Sequence, residues 1–98
     1  MSYTFFPQSV SSSIPAIGAS HVGDPLAMVK FFTPDSNWTW WASEYNPKTG
    51  EMFGLVDGFE KELGYFNLNE LRECSGPLGL PVERDIHFKP TSLKALLG

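Results

Sequence analysis

Between Trp38 and Val56 the chain reads Trp38-Thr39-Trp40-Trp41-Ala42-Ser43-Glu44-Tyr45, then Asn46-Pro47-Lys48-Thr49-Gly50, then a further run from Met52 to Val56. Aromatic and β-branched residues crowd the first run, and they suit the pleated surface of a sheet. The intervening segment carries proline early and glycine last, which is good chemistry for a hairpin loop. An antiparallel hairpin is therefore the frame to which the rest of the chain must be fitted. Alternation puts Trp38, Trp40 and Ala42 on one face of the first strand and Thr39, Trp41, Ser43 and Tyr45 on the other. Both faces carry bulk, so this strand is expected to be central.

The neighbouring elements follow from local signals. Met28 to Phe32 reads as a preceding strand, closed by Thr33-Pro34-Asp35-Ser36-Asn37, where Pro34 cannot donate to a ladder. Asp57-Gly58 begins a turn, and Leu63 to Phe66 reads as a third antiparallel strand after a loop containing Phe59 to Glu62. Asn67, with Glu70 three residues on, predicts a capped helix of about two turns, with Leu68 and Leu71 on its inner face and Gly76-Pro77 as its stop. The leucines of Gly76-Pro77-Leu78-Gly79-Leu80-Pro81 are expected to pack inward, and Arg84 to Phe88 to add an edge strand that Pro90 ends. Thr91 is the expected cap of a terminal helix with Leu93, Leu96 and Leu97 on one stripe. Residues 1–24 hold Ser, Pro and Gly at high density and no Lys or Arg. They read as an irregular segment anchored by Phe5, Phe6, Ile14 and Ile17, ahead of sheet and helices over 28–98. The predicted class is α+β: a small twisted antiparallel sheet of three to five strands with short helices packed on one side. At 98 residues the expectation is a single domain, 1–98.

Charge narrows the function classes. Eleven acids against seven bases give a net charge of -4, the wrong sign for gripping phosphate backbones, so no direct nucleic-acid contact is expected. The first basic residue is Lys30, and no window approaches the roughly 20 apolar residues that cross a bilayer. Neither a signal peptide nor a membrane segment is expected. The lone Cys74 cannot form an intrachain disulfide, which fits a cytoplasmic protein, and a monomer is the default expectation.

Catalytic signals are weak. His21, His87 and Cys74 show none of the short ligand pairs of a metal site, so no metal or cofactor is expected; His21 reads as a surface residue and His87 as one of a strand alternating with Ile86 and Phe88. Cys74 has the acidic neighbours Glu70 and Glu73, the wrong setting for a reactive thiol, and reads as structural. The carboxylate pairs Glu60 with Glu62 and Glu83 with Asp85 are of a kind common on solvated edges. Binding is the expectation, and catalysis the minority reading.

The informative concentration is acidic. Between Asp57 and Glu73 stand five acids (Asp57, Glu60, Glu62, Glu70 and Glu73) against two bases (Lys61 and Arg72). Carboxylates held on strand and helix can form a face that draws the basic groove of a partner. Since Trp40 and Trp41 point to opposite faces of a strand, at least one is expected to approach the surface; Trp41 is the candidate interface anchor. An alternative of another class is a single-stranded nucleic-acid-binding accessory domain that stacks bases on surface tryptophans, although only Lys30 and Lys48 lie near them in sequence.

The runs Phe31-Phe32-Thr33-Pro34-Asp35-Ser36-Asn37-Trp38-Thr39-Trp40-Trp41 and Phe53-Gly54-Leu55-Val56-Asp57-Gly58-Phe59-Glu60-Lys61-Glu62-Leu63-Gly64-Tyr65-Phe66, followed by Leu68-Asn69-Glu70-Leu71, Gly76-Pro77-Leu78-Gly79-Leu80 and Glu83-Arg84-Asp85, resemble a family of small bacterial and mobile-element proteins of unknown function. Ile14-Pro15-Ala16 is similar to the family's usual start, and the chain departs from the pattern at Gly18 and just after it. The resemblance covers about residues 14–98 and brings no catalytic residue with it. Its setting on plasmids and phages implies an anti-defence role of the anti-CRISPR kind. The expected partner is then a host type I CRISPR effector (Cascade) subunit with a basic DNA-binding groove, blocked by an acidic, DNA-mimicking face of Asp57, Glu60, Glu62, Glu70 and Glu73 with Trp41 as anchor.

Overall fold

A computed structural model of the protein describes residues 4–19 and 24–98; the expectation for His21 and parts of that for residues 1–24 fall outside them. The predicted hairpin joins β3 (Thr39–Tyr45) to β4 (Glu51–Asp57), with Trp40 opposite Val56, Trp41 opposite Leu55 and Tyr45 opposite Met52. Gly50 closes it at φ 83°, in the left-handed region that a side chain would strain, and donates its N–H to the Asn46 carbonyl. β2 (Val29–Phe32) flanks β3 and β5 (Lys61–Asn67) flanks β4, while β6 (Glu83–Arg84) pairs with β2. The antiparallel sheet runs β5-β4-β3-β2-β6, so β3 is central as expected.

A register shift between Ala42 and Glu44 marks a bulge. Beyond it β2 has ended, and the N-terminal segment takes over: the Tyr45 N–H donates to the Pro15 carbonyl, and the fully buried Glu44 accepts the Gly18 N–H at 2.8 Å. This segment, with its single helical turn α1 (Gln8–Ser11), is also pinned at its start, where the Arg84 guanidinium donates to the carbonyls of Phe5 and Thr4. Phe5 and Phe6 pack against the buried Phe31.

Because β5 and β6 are opposite edges, the chain between them must cross the sheet. It does so through α2 (Leu68–Glu73), whose Leu68 and Leu71 join Val29, Phe31, Trp40 and Met52 in one core. Trp41 and Leu55 form a second core with Ala27 and Leu93, covered by Phe88 and Leu96. This cover is the C-terminal return: a two-stranded sheet of β1 (Leu26–Ala27) with β7 (Thr91–Ser92), then α3 (Leu93–Leu97). The class is α+β, with the helices shared between the two faces, since a central strand that is bulky on both sides needs cover on both.

Several local expectations change. Trp41 is 9% exposed and is a core residue, because the C-terminal return lies over it. Leu78 is 80% exposed and Leu80 is also exposed, because their segment curls into a small hairpin, Ser75 bridged to Pro81, whose backbone faces inward. One Asp35 carboxylate oxygen accepts the N–H groups of Leu78 and Leu80, and the side chains turn outward. The edge strand expected over 84–88 stops at Arg84, since Asp85 accepts the His87 N–H on its side chain and the Phe88 N–H on its carbonyl, folding a turn. His87 is therefore an exposed turn residue. Ser92, not Thr91, caps α3 by accepting the Ala95 N–H; Thr91 pairs with Ala27. Leu97 leaves the apolar stripe and is exposed.

Asn67 caps α2 as predicted, its side-chain oxygen accepting the Asn69 N–H at 2.8 Å. Its amide also donates to the Thr49 carbonyl, tying the helix start to the hairpin loop. Asn67→Ala is expected to cost about 1–2 kcal/mol, read as a lower urea midpoint with an unchanged slope.

Candidate aromatic groove

Trp38 sits at the entry to β3, with its backbone held by hydrogen bonds at both its N–H and its carbonyl. The Thr33 N–H donates to the Trp38 carbonyl at 3.1 Å, and the Trp38 N–H reaches the Ser36 hydroxyl, which itself hydrogen-bonds the Thr33 hydroxyl. The indole stacks on Trp40, with ring centres 5.9 Å apart and 25° between planes. From the other side Phe59, in the β4–β5 turn, meets Trp38 edge-on at 5.5 Å. Gly58 makes this approach possible: a β carbon there would lie 2.3 Å from the Trp38 ring.

Two hollows flank Trp38. One, of about 340 Å³, is lined by Trp38, Val56, Phe59, Glu60 and Glu62. The other, of about 470 Å³, is lined by Thr33, Ser36, Trp38, Trp40 and residues 74–77. Trp38 is the wall they share, so the two hollows make a grooved aromatic surface with hydroxyls and the exposed Cys74 on one side of the indole and two carboxylates on the other. Phe59 is 94% exposed, so this turn holds an aromatic ring out in water. Cys74, read from the sequence as structural, is exposed and borders the groove.

The acidic residues divide. Glu60 and Glu62 are exposed and border the groove. Asp57 is half-buried at the end of β4, cross-strand from Thr39 and Lys61, so its side chain belongs to the opposite sheet face from that of Glu62, which pairs with Val56. Glu70 is exposed beside a separate hollow shared with Glu51, Tyr65, Phe66 and Asn67. Glu73 is exposed at the last position of α2, next to Cys74. The seven-residue strand β5 separates the Glu60–Glu62 end from the Glu70 end by roughly 20 Å, at about 3.3 Å per residue. Of the five, only Glu60 and Glu62 line one hollow together; Asp57 lies on the other sheet face, Glu70 beside a second hollow and Glu73 at the end of α2.

Sequence reasoning missed Phe59, and it gave Trp38 only to the base-stacking alternative. A usable signal was present: an aromatic residue directly after Asp57-Gly58 lies on a tight turn that cannot fold back to bury it. Among the described residues, no three His, Cys, Asp or Glu side chains are grouped to hold a metal ion, and no helix is long and apolar enough to cross a membrane.

In comparisons with known proteins, residues 9–95 match a family described as a protein of unknown function (DUF2958). No curated protein matches, and no solved structure matches.

Proposed function

Because the chain belongs to the DUF2958 family, whose function is not assigned, we propose from its geometry that it acts by binding a protein partner, with the Trp38 groove as its working surface. The observation that carries this reading is Phe59, almost wholly exposed yet braced against Trp38. A pre-positioned exposed aromatic beside a concave aromatic floor is the usual form of an interface anchor, since it loses little conformational freedom on binding. Glu60 and Glu62 at the rim select a basic partner and steer its approach.

In its finer form the reading is a mobile-element anti-defence protein acting in the host cytoplasm. The partner is the DNA-contacting groove of a type I CRISPR effector subunit, and target DNA is displaced. The acidic part of the contact then rests on Glu60 and Glu62, with Phe59 and Trp38 taking the anchor role expected of Trp41.

The test measures target-DNA binding by a purified crRNA-guided complex with increasing amounts of this protein. Inhibition by the wild type is expected to fall at least tenfold in potency in Phe59→Ala and in the double reversal Glu60→Lys, Glu62→Lys, and to weaken as salt rises. Glu73→Lys is expected to inhibit like the wild type. Absence of inhibition by the wild type removes the CRISPR partner, and equal inhibition by all variants removes the groove.

The Trp38–Trp40 stack is the one observation that favours the alternative, base stacking of single-stranded nucleic acid. The carboxylates at its rim repel phosphates and weigh against it. Quenching of tryptophan fluorescence by oligonucleotides at low salt would reverse this preference.

A further inference from the structure

β5 is an edge strand. Its inner side pairs with β4 over all seven residues, and among the described residues no strand pairs with its outer side. An uncovered edge of this length presents free N–H and C=O groups as a template for another strand. Its apolar residues are uncovered too: Leu63 is 50% exposed and Tyr65 58%, both on the same sheet face.

We infer that two copies of the chain pair antiparallel through β5, about a two-fold axis at Gly64, in place of the monomer expected from sequence. The segment Lys61-Glu62-Leu63-Gly64-Tyr65-Phe66-Asn67 is self-complementary in that register. Each Leu63 comes opposite the second copy's Tyr65, an apolar cross-strand pair. Each Lys61 comes opposite the second copy's Asn67, which borders the hollow lined by Glu51 and Glu70. Lys61, the one cation of the strand, donates to the Leu96 carbonyl of its own chain at 3.0 Å, and the pairing brings its ammonium beside that acidic place on the other copy. A two-fold axis normal to the sheet allows only shifts by two residues. Either neighbouring register stacks Leu63 on itself or Tyr65 on itself and loses the mixed apolar pair. Gly64 at the axis has open space where a side chain would stand, so nothing obstructs the approach of the two backbones. On the opposite face the second copy's Phe66 comes beside Glu62, lengthening the apolar wall of the Trp38 groove.

Sedimentation of the full chain at rising concentration is expected to pass from monomer to dimer. Lys61→Glu is expected to weaken the dimer at least tenfold, and adding Glu70→Lys to it to restore association by exchanging the two signs. The register is read separately with Gly64→Cys in a Cys74→Ser background. Directly opposed residues lie about 4.5–5.5 Å apart, within disulfide reach, so mild oxidation should trap a covalent dimer much faster than it does for Leu78→Cys in the same background. Circular dichroism confirms that each variant is folded. A wild type still monomeric at about 1 mM overturns the proposal, as does a dimer that ignores Lys61→Glu or fails to cross-link through position 64.

Discussion

Gly54→Ala is expected to lower the melting temperature by more than about 12 °C, whereas Gly64→Ala, its direct cross-strand partner, is expected to leave it unchanged or raise it slightly. Both glycines lie in regular strands of the same sheet, so strand propensity alone would predict the same modest gain at each. The difference is in what a β carbon meets. At Gly54 it would lie 1.8 Å from the Trp41 carbonyl oxygen and 3.0 Å from the Ala42 α carbon. These are backbone atoms of the central strand, next to the bulge between Ala42 and Glu44, and no rotamer change can move them aside. Overpacking typically costs about 1–3 kcal/mol when side chains can shift; with backbone as the obstacle the upper end, about 3 kcal/mol or more, is expected. At Gly64 nothing stands within 4 Å. Thermal unfolding of the two single variants checks the contrast, and equal melting temperatures would mean that β3 and β4 are not held as closely as described.

Hairpin and sheet were legible in the sequence because their signals are local: residue alternation, a proline and glycine in the right order, and an asparagine before an apolar pair. What covered each face was not, since it depends on segments distant in sequence. The closing strand that meets Ala27 is Thr91–Ser92, and nothing around either predicts the other. The site suffered most. Asp57 to Glu73 is a short run of sequence, which made its five carboxylates look like one patch. A strand advances about 3.3 Å per residue, more than twice the rise of a helix, and β5 occupies the middle of that run. Compactness in sequence became separation in space. Leu78 and Leu80 were misjudged for a related reason: the groups that needed burial in their loop were backbone N–H donors, and Asp35, more than forty residues earlier, satisfies them.

Trp41 and Phe59 give the sharpest separation between what holds the fold and what is free to act. Trp41→Ala is expected to destabilise the protein by about 3–5 kcal/mol, because the ring sits in the second core with Leu55 and Leu93 and its loss leaves a cavity under the C-terminal return. The α3 helix is a five-residue element with little stability of its own, so detachment of the C-terminal return should accompany that loss. Phe59→Ala removes a ring of similar chemistry that is already in water, and its one described aromatic contact, edge-on to Trp38, sets a cost of about 1 kcal/mol or less. Urea unfolding of both variants, followed by amide exchange across residues 91–97, measures the difference. If Trp41→Ala unfolds within 1 kcal/mol of the wild type and keeps those amides protected, Trp41 is not a keystone of that face, and the case for Phe59 as the anchor in its place fails with it.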